Sequence, residues 1–348
     1  MDDERKKIIV NNETEEDRVY SLSLRPQYLD EFIGQPELVN SLKVSIQAAK
    51  QRQEPLEHML FSGPPGLGKT SLANVVSHEM DARITVTSGP AIDRAGDLIG
   101  ILTNLEYGDV LFIDEIHRLS KVVEEFLYPA MESFKIDFVV DKGPLAKTIN
   151  FNLKPFTLIG ATTRSGLLAS PLRDRFGIFH HLEFYRAEDL SCIIQKSAEK
   201  LKVGIDHASA EAIARRSRGT PRIANRLLRR VRDYAQVKTE QGDIHLPVVK
   251  FAMQSLGIDE YGLDDIDRRI LTVILQHYKG GPVGVEALAA TLNEEVDTIV
   301  DVVEPYLLKI GFLTRTARGR ELTPASLKHL RANDLAPENS QKEFFSSS

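Results

Sequence analysis

The run Gly63-Pro64-Pro65-Gly66-Leu67-Gly68-Lys69-Thr70 sets flexible backbone, one ammonium and one hydroxyl in the order G-x-x-x-x-G-K-T. That order can hold a polyphosphate. Glycines let the backbone curl until several N–H groups point at phosphate oxygens. A helix opening at the end of the run adds its positive end. Lys69 can reach the β- and γ-phosphates, and the Thr70 hydroxyl can ligate Mg²⁺. The flanks agree. Apolar Met59-Leu60-Phe61 precedes the run, and Leu72, Ala73, Val75, Val76 and Met80 follow at helical spacing.

Further residues would turn a phosphate cradle into a hydrolytic site. Val110-Leu111-Phe112-Ile113-Asp114-Glu115 is an apolar strand running into two carboxylates. Ligands of open α/β sheets sit at the carboxyl ends of strands. Asp114 would hold Mg²⁺ through water, and Glu115 would activate the attacking water as general base. An acidic helix cap after a strand is the plainer alternative. His117 reads as a structural or coupling residue. Thr157-Leu158-Ile159-Gly160-Ala161-Thr162 ends where Thr162 can bond the γ-phosphate or the water. In Pro171-Leu172-Arg173-Asp174-Arg175-Phe176-Gly177 two arginines flank an aspartate. Arginine can stabilise a transferring phosphoryl group; an intramolecular ion pair is the alternative.

The elements that must position these residues follow from patterning. Between 21 and 185 five short apolar runs, Met59–Phe61, Ile84–Thr87, Val110–Ile113, Phe156–Ala161 and Ile178–Leu182, alternate with helical stretches. Short apolar runs bounded by turns predict buried parallel strands, hence an α/β doubly wound domain. Ile136–Val140 and Thr148–Phe151 around a Gly-Pro turn predict a hairpin, which is either a contact element or a surface ribbon. From 186 to 257 the pattern is helical, with helices over Asp189–Leu201, Ser209–Ser217 and Arg222–Gln236. From 258 to 332, helices over Ile266–Tyr278, Val285–Leu292 and Val296–Ile310 lead into two strands around Ala317-Arg318-Gly319, the outline of a winged helix. Residues 1–20 read as a flexible arm and 333–348 as a disordered tail.

The chain has 348 residues, 44 Lys and Arg, 50 Asp and Glu, and a net charge of -6. That balance argues against coating nucleic acid over the whole surface, so such contact must come from local clusters. The wing bearing Arg315, Arg318 and Arg320 is one; a solvated charge cluster is the bland alternative. No apolar run approaches a membrane span. The lone cysteine, Cys192, lies in an apolar helical stretch, reads as buried and inert, and fits a reducing compartment, which points to the cytoplasm.

In their order, these motifs resemble the AAA+ ATPases. With Asp114-Glu115-Ile116-His117-Arg118-Leu119, Gly160-Ala161-Thr162-Thr163-Arg164 and Gly219-Thr220-Pro221-Arg222-Ile223-Ala224-Asn225-Arg226, they are similar to the RuvB family of Holliday-junction branch-migration motors over residues 20–330. The resemblance implies an α/β fold: an AAA+ doubly wound parallel sheet, a helical lid and a C-terminal winged-helix head. It also implies an ATP hydrolase acting in recombination and DNA repair, with ATP/ADP and Mg²⁺ bound. It assigns nucleotide contacts to Leu24, Arg25, Gly66, Gly68, Lys69, Thr70, Ser71, Tyr185 and Arg222. Catalysis falls to Lys69, Asp114, Glu115, Thr162 and Arg175, the last reaching a neighbouring subunit. Thr70 and Asp114 would hold the metal, and Arg315 and Arg320 would touch DNA. The implied partners are branched DNA, RuvA through the hairpin around Asp141–Lys147, RuvC as a further candidate, and five more copies of the chain. A winged-helix transcriptional switch and a clamp loader are the competing readings. The apolar and acidic residues of Val296–Ile310 offer little for reading bases, which disfavours the switch. A clamp loader should lack a winged-helix head.

Overall fold

The computed structural model describes residues 23–139, 148–239 and 241–332. The expected arm (1–20), the hairpin tip Asp141–Lys147 and the expected tail (333–348) lie outside the described residues. The chain divides into two compact units, Ser21–Tyr185 and the residues from Arg186 on.

The first unit runs α1 (Pro36–Arg52), β1 (Met59–Ser62), α2 (Lys69–Glu79), β2 (Ile84–Ser88), α3 (Ala95–Thr103), β3 (Val110–Asp114), α4 (Lys121–Ser133), β4 (Lys135–Val139), β5 (Thr148–Asn152), β6 (Thr157–Thr162), α5 (Ser170–Arg173) and β7 (Ile178–His181). The five apolar runs all become strands of one parallel sheet, ordered β2-β3-β6-β1-β7. The central strands β1, β3 and β6 are buried, which is why their sequences lack polar alternation. Leu60, Leu111, Ile113 and Leu158 are each 2% exposed or less. Burial of each such side chain contributes roughly 1.5–3 kcal/mol. β4 and β5 form a separate antiparallel pair, the expected hairpin.

The second unit runs α6 (Ala187–Lys200), α7 (His207–Arg215), α8 (Pro221–Lys238), α9 (Leu246–Ser255), α10 (Asp265–Tyr278), α11 (Val285–Leu292), α12 (Glu304–Lys309), β8 (Leu313–Thr316), β9 (Gly319–Leu322) and α13 (Pro324–Ala332). One expectation fails here and one is modified. Cys192 is exposed, not buried. Leu190, Ile194, Ser197 and Ala198 form the buried stripe of α6, and position 192 is turned about 200° from 190 at 3.6 residues per turn. The helix expected over Val296–Ile310 is present and unbroken over 296–309, but its middle, Thr298–Val303, is π-helical and leads straight into α12. Pro305 explains the change: it has no N–H to give residue 301, and its ring crowds that carbonyl.

One buried ion pair joins the turn before α8 to the first turn of α10. Arg218, in a left-handed conformation, reaches Asp267 at 2.9 Å and lies over the Tyr306 ring at 4.9 Å. Both charges are buried. Asp267 also accepts the backbone N–H of Asp264, and Asp264 caps α10 in return. Burial pushes the Asp267 carboxyl up, against the pull of Arg218. The two halves of the pair therefore tolerate loss differently. Asp267→Asn strands a guanidinium that cannot shed its proton, and should cost about 3–5 kcal/mol in denaturant unfolding. Arg218→Gln leaves a carboxyl that can take up a proton, and should cost clearly less. Equal losses at pH 7 would refute this asymmetry.

Candidate nucleotide and nucleic-acid sites

The phosphate loop leaves the carboxyl end of β1 and closes on the N-terminus of α2. Gly63 (φ +136°) and Gly68 (φ +102°) both lie in conformations that side chains avoid. A Cβ on Gly63 would also stand 2.5 Å from the Leu182 carbonyl oxygen. The N–H of Gly63 bonds the Thr162 carbonyl at 3.2 Å, fastening the loop to β6. Lys69 is buried, and its ammonium donates to the carbonyls of Gly63 (2.7 Å) and Pro64 (3.0 Å). The cation is thus held inside the loop it would serve. Thr70 and Ser71 follow in the first turn of α2, both half-buried.

Beside the loop, Tyr185 is buried and its hydroxyl donates to the Leu67 carbonyl at 3.2 Å. Its ring lies against Gly34, while Phe32 and the Tyr185 hydroxyl approach Gly68. Leu24 is buried and Arg25 half-buried. Gln35 pairs its side-chain amide with both backbone groups of Glu183, fastening this N-terminal segment to the chain leaving β7.

Asp114 and Thr162 close the neighbouring parallel strands β3 and β6 at their carboxyl ends. Asp114 accepts the N–H of Glu115 at 3.0 Å. Glu115 adopts the left-handed conformation (φ +47°), uncommon for a side-chain-bearing residue and frequent at functional sites. This turn sends the two consecutive carboxylates in different directions. Glu115 Oε2 accepts from the Thr163 hydroxyl (3.2 Å) and N–H (3.4 Å) and lies 3.3 Å from His117 Nδ1. Thr162 is fully buried; its hydroxyl lies 2.9 Å from His117 Nδ1 and accepts the N–H of Arg164. The structure thus sets Thr163, which the sequence reading did not single out, directly on Glu115, and ties Thr162 to it through His117. Alternation along β6 holds the signal: if Thr162 points into the packed interior, its neighbour points the other way.

Arg175 follows α5. It donates to the Pro171 carbonyl, pairs with Glu132 at 2.9 Å and stacks on Tyr128 at 4.5 Å. Within one chain the ion-pair alternative is realised, with Glu132 rather than the adjacent Asp174 as partner.

Three family models match this chain. They describe the Holliday junction DNA helicase RuvB P-loop domain over residues 24–182, the RuvB AAA lid domain over 185–259, and the RuvB C-terminal winged helix domain over 260–331. The chain belongs to the RuvB family of Holliday junction DNA helicases. A solved structure of Thermotoga maritima RuvB, described as a Holliday junction branch migration motor, is 52% identical, with 89% of this chain and 98% of that chain covered and a TM-score of 0.82. A mutant of that protein matches with 52% identity over 88% of this chain and 98% of that one, TM-score 0.83. Membership makes this protein a P-loop AAA+ ATPase that binds nucleotide and acts on DNA.

The remaining site residues lie in the second unit. Arg222 is exposed in the first turn of α8, which Pro221 opens at a position where no N–H is needed. Arg315 and Arg320 stand directly opposite each other in the β8–β9 ladder. Like charges in that register repel. Glu304 resolves the conflict. Its carboxylate is 1% exposed and receives Arg315 at 2.8 and 2.9 Å and Arg320 at 3.1 Å through both oxygens. Burial works against the Glu304 charge, but the two guanidinium groups outweigh it and hold its pKa below the usual range. Sequence reading missed this carboxylate because it comes from α12, outside the wing. Arg315 and Arg318 are exposed, whereas Arg320 is largely covered.

Proposed function

We propose that this chain is an ATP-driven motor which assembles as a homohexameric ring and, with RuvA, pumps duplex DNA to migrate Holliday junctions. Convergence carries the reading: the phosphate loop, Asp114, Glu115 and Thr163 meet at the carboxyl ends of adjacent strands. Leu24, Arg25, Gly66, Gly68, Lys69, Thr70, Ser71 and Tyr185 would hold ATP, with Arg222 closing over it from the lid. The hard oxygen donors Thr70 and, through water, Asp114 suit Mg²⁺, which when bound neutralises charge developing on the phosphates. Glu115 would take a proton from the attacking water as the water oxygen bonds the γ-phosphorus and the β–γ bridging oxygen departs with ADP. Thr162, through His117, and Thr163 would hold Glu115 in place. Arg175 of the adjacent copy would stabilise the transferring phosphoryl group.

The working parts we assign are the ATPase domain at 21–185, the lid at 186–257 and the DNA-binding head at 258–332, flanked by an arm and a tail. RuvA would engage the hairpin around Asp141–Lys147, RuvC would join at the junction, and the assembly would work in the cytoplasm. Among the described residues no helix is long and apolar enough to cross a membrane.

Phosphate contacts position a protein without specifying sequence, which suits a motor that crosses any DNA. Arg315→Ala with Arg320→Ala should weaken binding equally on unrelated duplexes. The salt slope should flatten by roughly 0.9 per lost phosphate contact. Glu304→Gln belongs in the same variant, so that no buried carboxylate is stranded. Unchanged binding would move the contact off the wing. The overall test is ATP-dependent strand exchange on a synthetic four-way junction, with and without RuvA. ATP consumption that never responds to branched DNA would overturn the proposal.

A further inference from the structure

Helix α4 carries Glu124, Tyr128 and Glu132 at intervals of four residues, so they stack along one face. Each is occupied by the next. Glu124 is buried and its Oε2 accepts the Tyr128 hydroxyl at 3.1 Å. The Tyr128 ring, its outer end fixed by that bond, lies under the Arg175 guanidinium at 4.5 Å. Glu132 Oε1 takes one terminal nitrogen at 2.9 Å, and the Pro171 carbonyl takes the other at 2.5 Å. The Arg175 side chain is 22% exposed and that of Glu132 58%.

These partners differ in permanence. The aromatic ring and the backbone carbonyl are fixed by the fold. Glu132 is an exposed carboxylate on a flexible stem, and such pairs are weak. A terminal phosphate offers the same planar recognition to the guanidinium with more charge.

We propose that this face of α4 is the mount of the arginine finger: Tyr128 sets the plane and reach of Arg175, and Glu132 is a latch that a neighbouring copy's terminal phosphate displaces. The proposal rests on the reading of Arg175 as acting in trans. Tyr128 and Glu132 are positioning residues; neither touches nucleotide. In the lone chain the latch neutralises the finger. At an occupied interface the guanidinium keeps its ring and its backbone carbonyl and exchanges one carboxylate for phosphate, with no new rotamer to find.

Mixed assemblies of the full chain test this. A Glu115→Gln chain has a dead site and an intact finger, and an Arg175→Ala chain has the reverse. Together they should recover ATP turnover at interfaces where the first serves the second. Tyr128→Leu placed on the finger-donating chain should lower that recovered kcat by about fivefold to tenfold, from loss of the cation–π contact. Placed on the site-donating chain it should change nothing beyond experimental error. Tyr128→Phe on the finger donor should recover most of the loss. Glu132→Gln on the finger donor should raise turnover by about twofold to fivefold, as expected for releasing a weak pair. It also covers the case in which Tyr128→Leu does not fold. A defect that follows either chain equally, or no change from either variant on the finger donor, overturns the mount. If the parent mixture recovers no turnover, the reading of Arg175 in trans fails instead.

Discussion

Glu115→Gln is expected to yield a chain that binds ATP as tightly as the parent and hardly hydrolyses it. Glutamine keeps the shape, and its carbonyl can still accept the Thr163 hydroxyl that holds Glu115 at 3.2 Å. The left-handed turn at position 115 and the bond from its N–H to Asp114 are backbone features and persist. Only basicity is lost. Removing a general base costs typically 10²–10⁴ in rate, so phosphate release should fall by about that factor. Nucleotide affinity, measured by equilibrium fluorescence, should hold because the loop from Gly63 to Thr70 is untouched. Normal turnover would remove Glu115 from the role of base and leave it as a support for Thr163.

Arg175→Ala should lose even more. An arginine supplied to a phosphoryl-transfer site is worth about 10³–10⁵ in rate. The intramolecular role seen here, a screened pair with Glu132 and a stack on Tyr128, is worth far less to stability. The variant should therefore fold and melt close to the parent while its turnover collapses. A fall in melting temperature large enough to explain the lost activity would return Arg175 to the structural reading. Full activity in the variant would exclude it from the site.

Tightly linked local signals were readable directly. The phosphate loop announces itself because the glycine spacing, the lysine and the following helix are contiguous, and the backbone geometry they demand is local. The strand-terminal pair Asp114–Glu115 was readable for the same reason. The three central strands were visible because burial on both faces leaves uninterrupted apolar runs, whereas the edge strands β2 and β7 are only partly buried. The helix expected over Val296–Ile310 forms, and Pro305 shifts the turn before it to π-helical spacing, a local signal that periodicity alone does not show. The exposure of Cys192 was likewise encoded in helical phase, which an apolar neighbourhood obscured.

What the chain determines by itself is thus the backbone chemistry of the phosphate loop, the alternation of strand and helix, and through its motif order the RuvB family. What only tertiary structure decided are the partners that arrive from distant segments. Thr163 meets Glu115 because β6 lies beside β3. Arg175 meets Tyr128 because the turn after α5 returns to α4, and Glu304 rises from α12 to neutralise two wing arginines. Each pairing joins residues far apart in order whose contact depends on packing geometry, and no periodicity or spacing in a linear chain records where two faces will touch.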